Sequence, residues 1–278
     1  MADFFPSRVI QRAIRLASIL LLFGGSLPTW GAHQAEVSGS IDPQGIAPTE
    51  MSDVGPILAS ASVQALDMRI EASADISTAQ LHAGSFGRSP SNRFDSADAA
   101  ATISDHLFFA ADVGTFVGVL DLHFVSSLVA DDQAFASPSA GATLSVGTGG
   151  GPFGRGGQWS VMTRCPAGVT NCTTGTFIDQ VFSVDMFIID IVTSPNPFSG
   201  FGEINLFVNL GTFIAGSAVA DSLHSVTASI RLAPGITFSG SESGVFPISA
   251  VPEPNTFALL LGGLGLAVVT IRRKARTA

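Results

Sequence analysis

The 278-residue chain has no tyrosine, two tryptophans, two cysteines and one lysine, Lys274. Each shortage excludes something. With the phenol missing and 21 phenylalanines present, the aromatic area brings no hydroxyl that needs a buried partner, so it reads as core and not as a site. Two cysteines with no histidine close in sequence are too few for a metal centre. Cations are scarce except at the ends, where Arg8, Arg12, Arg15, Arg272, Arg273, Lys274 and Arg276 take seven of the 13 basic residues. Residues 33–250 keep six arginines against 20 acidic residues, a net charge of −14. Such a surface repels phosphates, which argues against a nucleic-acid partner.

The hydrophobic residues, 46% of the chain, form two dense blocks at the ends around a mixed middle. At the N-terminus, three arginines precede the run Leu16 to Phe23, and Gly24, Gly25 and Pro28 lead to the small residues Gly31 and Ala32. This order is that of a secretory signal peptide, whose apolar run is shorter than the roughly 20 residues of a spanning helix. Residues 1–32 are assigned to it. Thr29-Trp30-Gly31 satisfies a small-x-small cut, whereas a cut after Ala32 leaves Trp30 three residues upstream.

At the C-terminus, Phe257 to Ile271 is an uncharged run of 15 residues. As a helix this run reaches only ~22 Å at ~1.5 Å per residue, lengthened slightly by Thr256 to about 256–271, against a bilayer core of about 30 Å. Snorkelling arginines and local thinning make up the difference. Basic residues beside a span stay cytoplasmic, so both arginine groups face inward and the acidic body is translocated.

The tail has three parts in order: Val251-Pro252-Glu253-Pro254, the Leu- and Gly-rich run, and the stop cluster Arg272, Arg273, Lys274 and Arg276. Together they resemble the PEP-CTERM sorting-signal family. The resemblance implies an exosortase-type processing peptidase as partner, in addition to signal peptidase and the general secretion machinery. It also implies a transient membrane anchor, a Gram-negative host that makes exopolysaccharide, and exopolysaccharide itself as a partner. The implied route runs from an inner-membrane-anchored precursor to a mature form at the cell surface or outside the cell. Pro252 and Pro254 favour extended backbone around themselves, which suits a protease substrate.

Period-two alternation in the body predicts strands. It is visible in Leu66–Glu71, Phe182–Met186 and Ser225–Leu232. Phe116–Val125 is a further strand, with Leu120, Leu122 and Phe124 on one face and Asp121 and His123 on the other. Ala101–Phe109, Gly175–Val192, Glu203–Leu210, Gly211–Ala220 and Gly235–Ser239 complete the set, with breaks at Ser194–Pro197, Gly200 and Pro234-Gly235. The expected fold is all-β, an antiparallel β-sandwich or jelly-roll-like body over 61–250. Residues 33–60 read as a linker or a first strand, and Val54–Ala65 is the only helix candidate of the body. Residues 218–246 are similar to the last strands of β-rich bodies that often precede this tail, bodies that are usually of unassigned function.

Cys165 and Cys172 read as a disulfide in an exported chain, stabilising by roughly 2–3 kcal/mol. Asn171-Cys172-Thr173 fits the glycosylation pattern as a short coincidence. The glycines of 147–157 lack the Lys-Ser/Thr ending of a phosphate loop and read as a connection. Asp131-Asp132 lacks the spaced partners of a calcium loop and reads as a solvated turn. His33, His82, His106, His123 and His224 show no ligand spacing. Asp105-His106 and Asp121/His123 are pairs a hydrolase can use, although such sets are defined by geometry. No catalytic residue, metal ligand or cofactor is assigned. The leading reading is a non-enzymatic surface or matrix structural protein, followed by a secreted carbohydrate-binding sandwich module and then a secreted hydrolase.

Overall fold

The computed structural model describes residues 33–88, 95–132, 138–148, 155–166, 172–192, 197 and 200–248. The signal peptide, the sorting tail with its helix, Asn171 and Gly149–Gly154 lie outside these residues. Among the described residues there are fourteen strands and no helix. In chain order they are β1 (Gln34–Asp42), β2 (Thr49–Gly55), β3 (Leu58–Ala65), β4 (Met68–Asp75), β5 (Gln80–Gly87), β6 (Ser96–Phe109) and β7 (Phe116–Asp132). There follow β8 (Ser139–Gly147), β9 (Gly156–Arg164), β10 (Cys172–Phe187), β11 (Asp190–Ile191), β12 (Gly202–Ala215), β13 (Ala218–Leu232) and β14 (Phe238–Ser241).

Every pairing is antiparallel. One sheet, here sheet A, has the order β2-β1-β6-β12-β8-β9, with β11 beside β12 and β14 beside β6; sheet B has the order β10-β7-β13-β5-β4-β3. Counting β5 to β10, β12 and β13 as strands one to eight, sheet B contains 1-8-3-6 and sheet A contains 2-7-4-5. That interleaving is a jelly roll. The N-terminal strands extend it, β1 and β2 beyond β6, and β4 and β3 beyond β5.

Alternation explains the layers. Inward residues of β6 (Ala97, Ala99, Ala101, Ile103) and β12 (Ile204, Leu206, Val208, Leu210) share one core with β7 (Leu120, Leu122, Phe124) and β13 (Val226, Ala228, Ile230). Small side chains on β1 and β6 let the sheets approach closely. A Cβ on Gly39 would lie 2.8 Å from Ile70 Cδ1 of the opposite sheet and 2.5 Å from the Asp98 carbonyl.

Several expectations are corrected. Of the two readings of residues 33–60, the strand holds and the linker does not: the segment contains β1, β2 and the start of β3 and belongs to the sandwich. Val54–Ala65 is not helical: β2 ends at Gly55, and Leu58–Ala65 is a strand whose Ala/Ser pattern has a period of two. Glu203–Leu210 and Gly211–Ala220 are not two strands divided at Gly211. β12 runs on to Ala215, and the chain turns at Gly216, whose φ is +75°. Asp131-Asp132 lies in the β7 ladder opposite Thr173 and Cys172, not in a turn.

Candidate functional site

The structure brings polar side chains together in two places, each beginning with one of the Asp/His pairs singled out above. Asp105 and His106 are adjacent on β6, so their side chains leave opposite faces. Asp105 points inward and is fully buried. It accepts hydrogen bonds from Ser243 Oγ (2.6 Å), Ser243 N (3.2 Å) and His106 N (2.9 Å). Burial pushes its carboxyl above the ordinary 3.8, although these bonds and the charge of His33 pull the other way.

His106 lies on the outer face, with Nδ1 3.3 Å from Glu203 Oε1 of β12 and 3.2 Å from Glu242 Oε2, just after β14. Burial raises the Glu203 carboxyl; His106 opposes that shift, and Asp190 and Glu242 add to it. Glu242 N also donates to the His106 carbonyl at 2.9 Å. The C-terminal strand is thus held to β6 from both faces. Asp105 and His106 do not form a dyad with each other, because their side chains are on opposite sides of the sheet; the carboxylates that His106 meets are Glu203 and Glu242.

Asp121 and His123 do share the outer face of sheet B, yet they have different partners. Asp121 receives the Arg231 guanidinium through Nε and through Nη2 (3.0 Å), and Ser183 Oγ at 2.6 Å. The bond from Arg231 holds the Asp121 carboxyl below its ordinary value, burial opposes that shift, and the Ser183 bond reinforces it. His123 Nε2 lies 2.7 Å from Asp179 Oδ1 of β10. The serine here bonds to a carboxylate and not to an imidazole, so the residues do not form a nucleophile–base relay.

Glu203, Glu242, Ser243, Asp179, Ser183 and Arg231 are the partners that sequence reasoning missed. Ser243 is 138 residues from Asp105, and Arg231 is 110 from Asp121. No local pattern signals such pairings. Among the described residues, no group of three or more His, Cys, Asp or Glu is placed to hold a metal ion.

Cys165 and Cys172 are joined by a disulfide with a Cα–Cα distance of 5.9 Å. It spans the crossover from β9, an edge of sheet A, to β10, an edge of sheet B. Nearby, the Trp159 ring of β9 stacks on Phe182 of β10 at 4.4 Å. The base of the glycine-rich connection is closed by Thr148 N donating to the Arg155 carbonyl at 2.8 Å.

The last described residue, Ile248, precedes Val251 by three positions. Residues 250–274 match the PEP-CTERM protein-sorting motif. The match takes in Val251, Pro252, Glu253, Pro254, Arg272, Arg273 and Lys274, and ends before Arg276. No curated protein matches the chain.

Proposed function

We propose that this chain, an exported PEP-CTERM protein sorted by an exosortase from a membrane-anchored precursor, is a non-enzymatic structural component of the cell surface or extracellular matrix. The acidic jelly roll is the part that remains once the tail has been processed. The supporting observation is the mutual pairing of polar side chains across strands on the outer face of sheet B. Asp121 is bonded to Arg231 and Ser183, and His123 to Asp179. These pairs stiffen a surface and do not assemble a reacting centre.

A carbohydrate-binding module is the second reading. It is favoured by Phe177, which stands 69% exposed on the same face as these hydrogen-bonding groups. One experiment separates the two. The mature protein, purified from its host, is incubated with the host's exopolysaccharide and with defined glycans, with and without calcium. The Pro252→Ala, Glu253→Ala double variant, expected to stay unprocessed at the membrane, reports whether delivery depends on the motif. A structural role predicts mature protein in the matrix fraction, weaker matrix cohesion in a deletion strain and no chemical change in any glycan. Saturable binding to one defined glycan would establish the second reading instead, and release of cleavage products would overturn both.

A further inference from the structure

The two flanks of the sandwich end differently. On one flank lie β2 and β3, seven and eight residues long, separated only by Pro56 and Ile57. Asp53 Oδ2 of β2 accepts the Ser60 N–H of β3 at 2.9 Å, so a side chain closes that border. On the other flank lie β9 and β10. β10 is 16 residues long and pairs with β7 without a bulge from Cys172 to Met186. Among the described residues no strand pairs with its other side.

Proteins protect such borders with lysine, proline, bulges or short strands, because an open row of N–H and C=O groups recruits another strand. β10 contains no lysine and no proline, and its only charges are Asp179 and Asp185. Asp179, Gln180 and Val181 are exposed in succession, so side chains of both faces reach solvent there. Phe177 and Val181 are 69% and 60% exposed, and Met162 of neighbouring β9 is 58% exposed.

We propose that β10 is a homotypic docking strand, and that two copies of the mature protein join antiparallel across it into one continuous sheet. An edge of alternating donors and acceptors is satisfied along its length by an extended polypeptide. β10 is also complementary to itself. With the two-fold axis at Val181, Val181 meets its own counterpart, and Asp179 faces Ser183 of the second copy. Phe177 faces Asp185, and Gly175 faces Phe187. On the inner row, Ile178 faces Val184 and Gln180 faces Phe182. No aspartate opposes an aspartate, and β-branched side chains pair at Val181 with Val181 and at Ile178 with Val184, contacts that favour a sheet. The interface is isologous and closes as a dimer. Each body carries −14, so long-range repulsion opposes docking and salt relieves it. The inference does not depend on the matrix role.

Sedimentation velocity on the mature protein from roughly 1 to 100 μM tests this. The expected result is a monomer–dimer equilibrium that tightens between about 0.15 M and about 0.5 M salt. Val181→Lys places two lysines face to face at the axis and is expected to raise the dimer Kd at least about tenfold. Leu58→Lys, on the opposite flank and 59% exposed, is expected to leave it unchanged. Hydrogen exchange on the wild type provides a reading that needs no variant: β10 amides gain protection as concentration rises. A wild type that stays monomeric throughout, or equal weakening by both variants, overturns the proposal.

Discussion

Asp105 and Asp121 lie on consecutive strands of the jelly roll, each within two residues of a histidine, and their surroundings differ in nearly every respect. Asp105 faces the core and is satisfied by Ser243 and a backbone amide, and burial raises its carboxyl. Asp121 faces outward and is held by Arg231 and Ser183, with its carboxyl lowered. The contrast teaches that an Asp/His spacing carries no chemistry until strand alternation has assigned each side chain a face. On β6 the spacing is one residue and the pair is split across the sheet. On β7 it is two, and the pair shares a face but not a bond.

The largest effect that could break this contrast is at Asp105. Asp105→Ala leaves Ser243 N, Ser243 Oγ and His106 N without their acceptor, an expected loss of about 2–4 kcal/mol in urea unfolding. The loss should come with weaker hydrogen-exchange protection in β14, which these bonds hold. A loss no greater than that of an outer-face substitution would show that Asp105 is not a structural anchor.

The pH dependence sharpens the contrast through its sign. The folded-state pKa of Asp105 is raised above the ordinary 3.8. Its contribution is therefore complete below that value and is lost as pH rises through the folded pKa. Asp98, also raised by burial, and Glu203 add to the same slope. Asp121 is lowered, so its contribution is complete above 3.8 and is lost as pH falls. Urea midpoints followed from about pH 3 to pH 7 should show Asp105→Asn flattening the decline on the rising side. Asp121→Asn should flatten the decline on the acid side. Slopes of the same sign at both positions would remove the distinction.

The smallest effect is expected from Asp121→Ala. Arg231 is 55% exposed, and solvent and salt weaken such pairs. The urea midpoint should move by a small fraction of the Asp105→Ala shift, and less still in high salt. A shift comparable to that of Asp105→Ala would mean that the outer face of sheet B is itself part of the stabilising framework.

Legibility in the sequence followed hydrophobic contrast. β7 was readable because Leu120, Leu122 and Phe124 alternate with polar residues, and all three are fully buried. β1 and β3 were harder, since QAEVSGSID and LASASVQA offer few large apolar side chains. Their small residues permit close packing, and that use is visible only beside the opposite sheet, as at Gly39 against Ile70. The break at Gly211 was misplaced because glycine punctuates turns, yet this one lies inside a ladder opposite Ala100. The polar clusters were legible only as isolated aspartates and histidines.

By itself the sequence determined the address and the layers. The sorting motif at 250–274 is a contiguous string, and alternation assigns inner and outer faces because successive side chains of a strand leave opposite sides. The tertiary structure decided who meets whom. Ser243 reaches Asp105 and Arg231 reaches Asp121 only through the register of paired strands. Those registers depend on the summed fit of two whole sheets, which no local segment contains. The same registers decide that β2 and β3 close one flank while β10 borders the other.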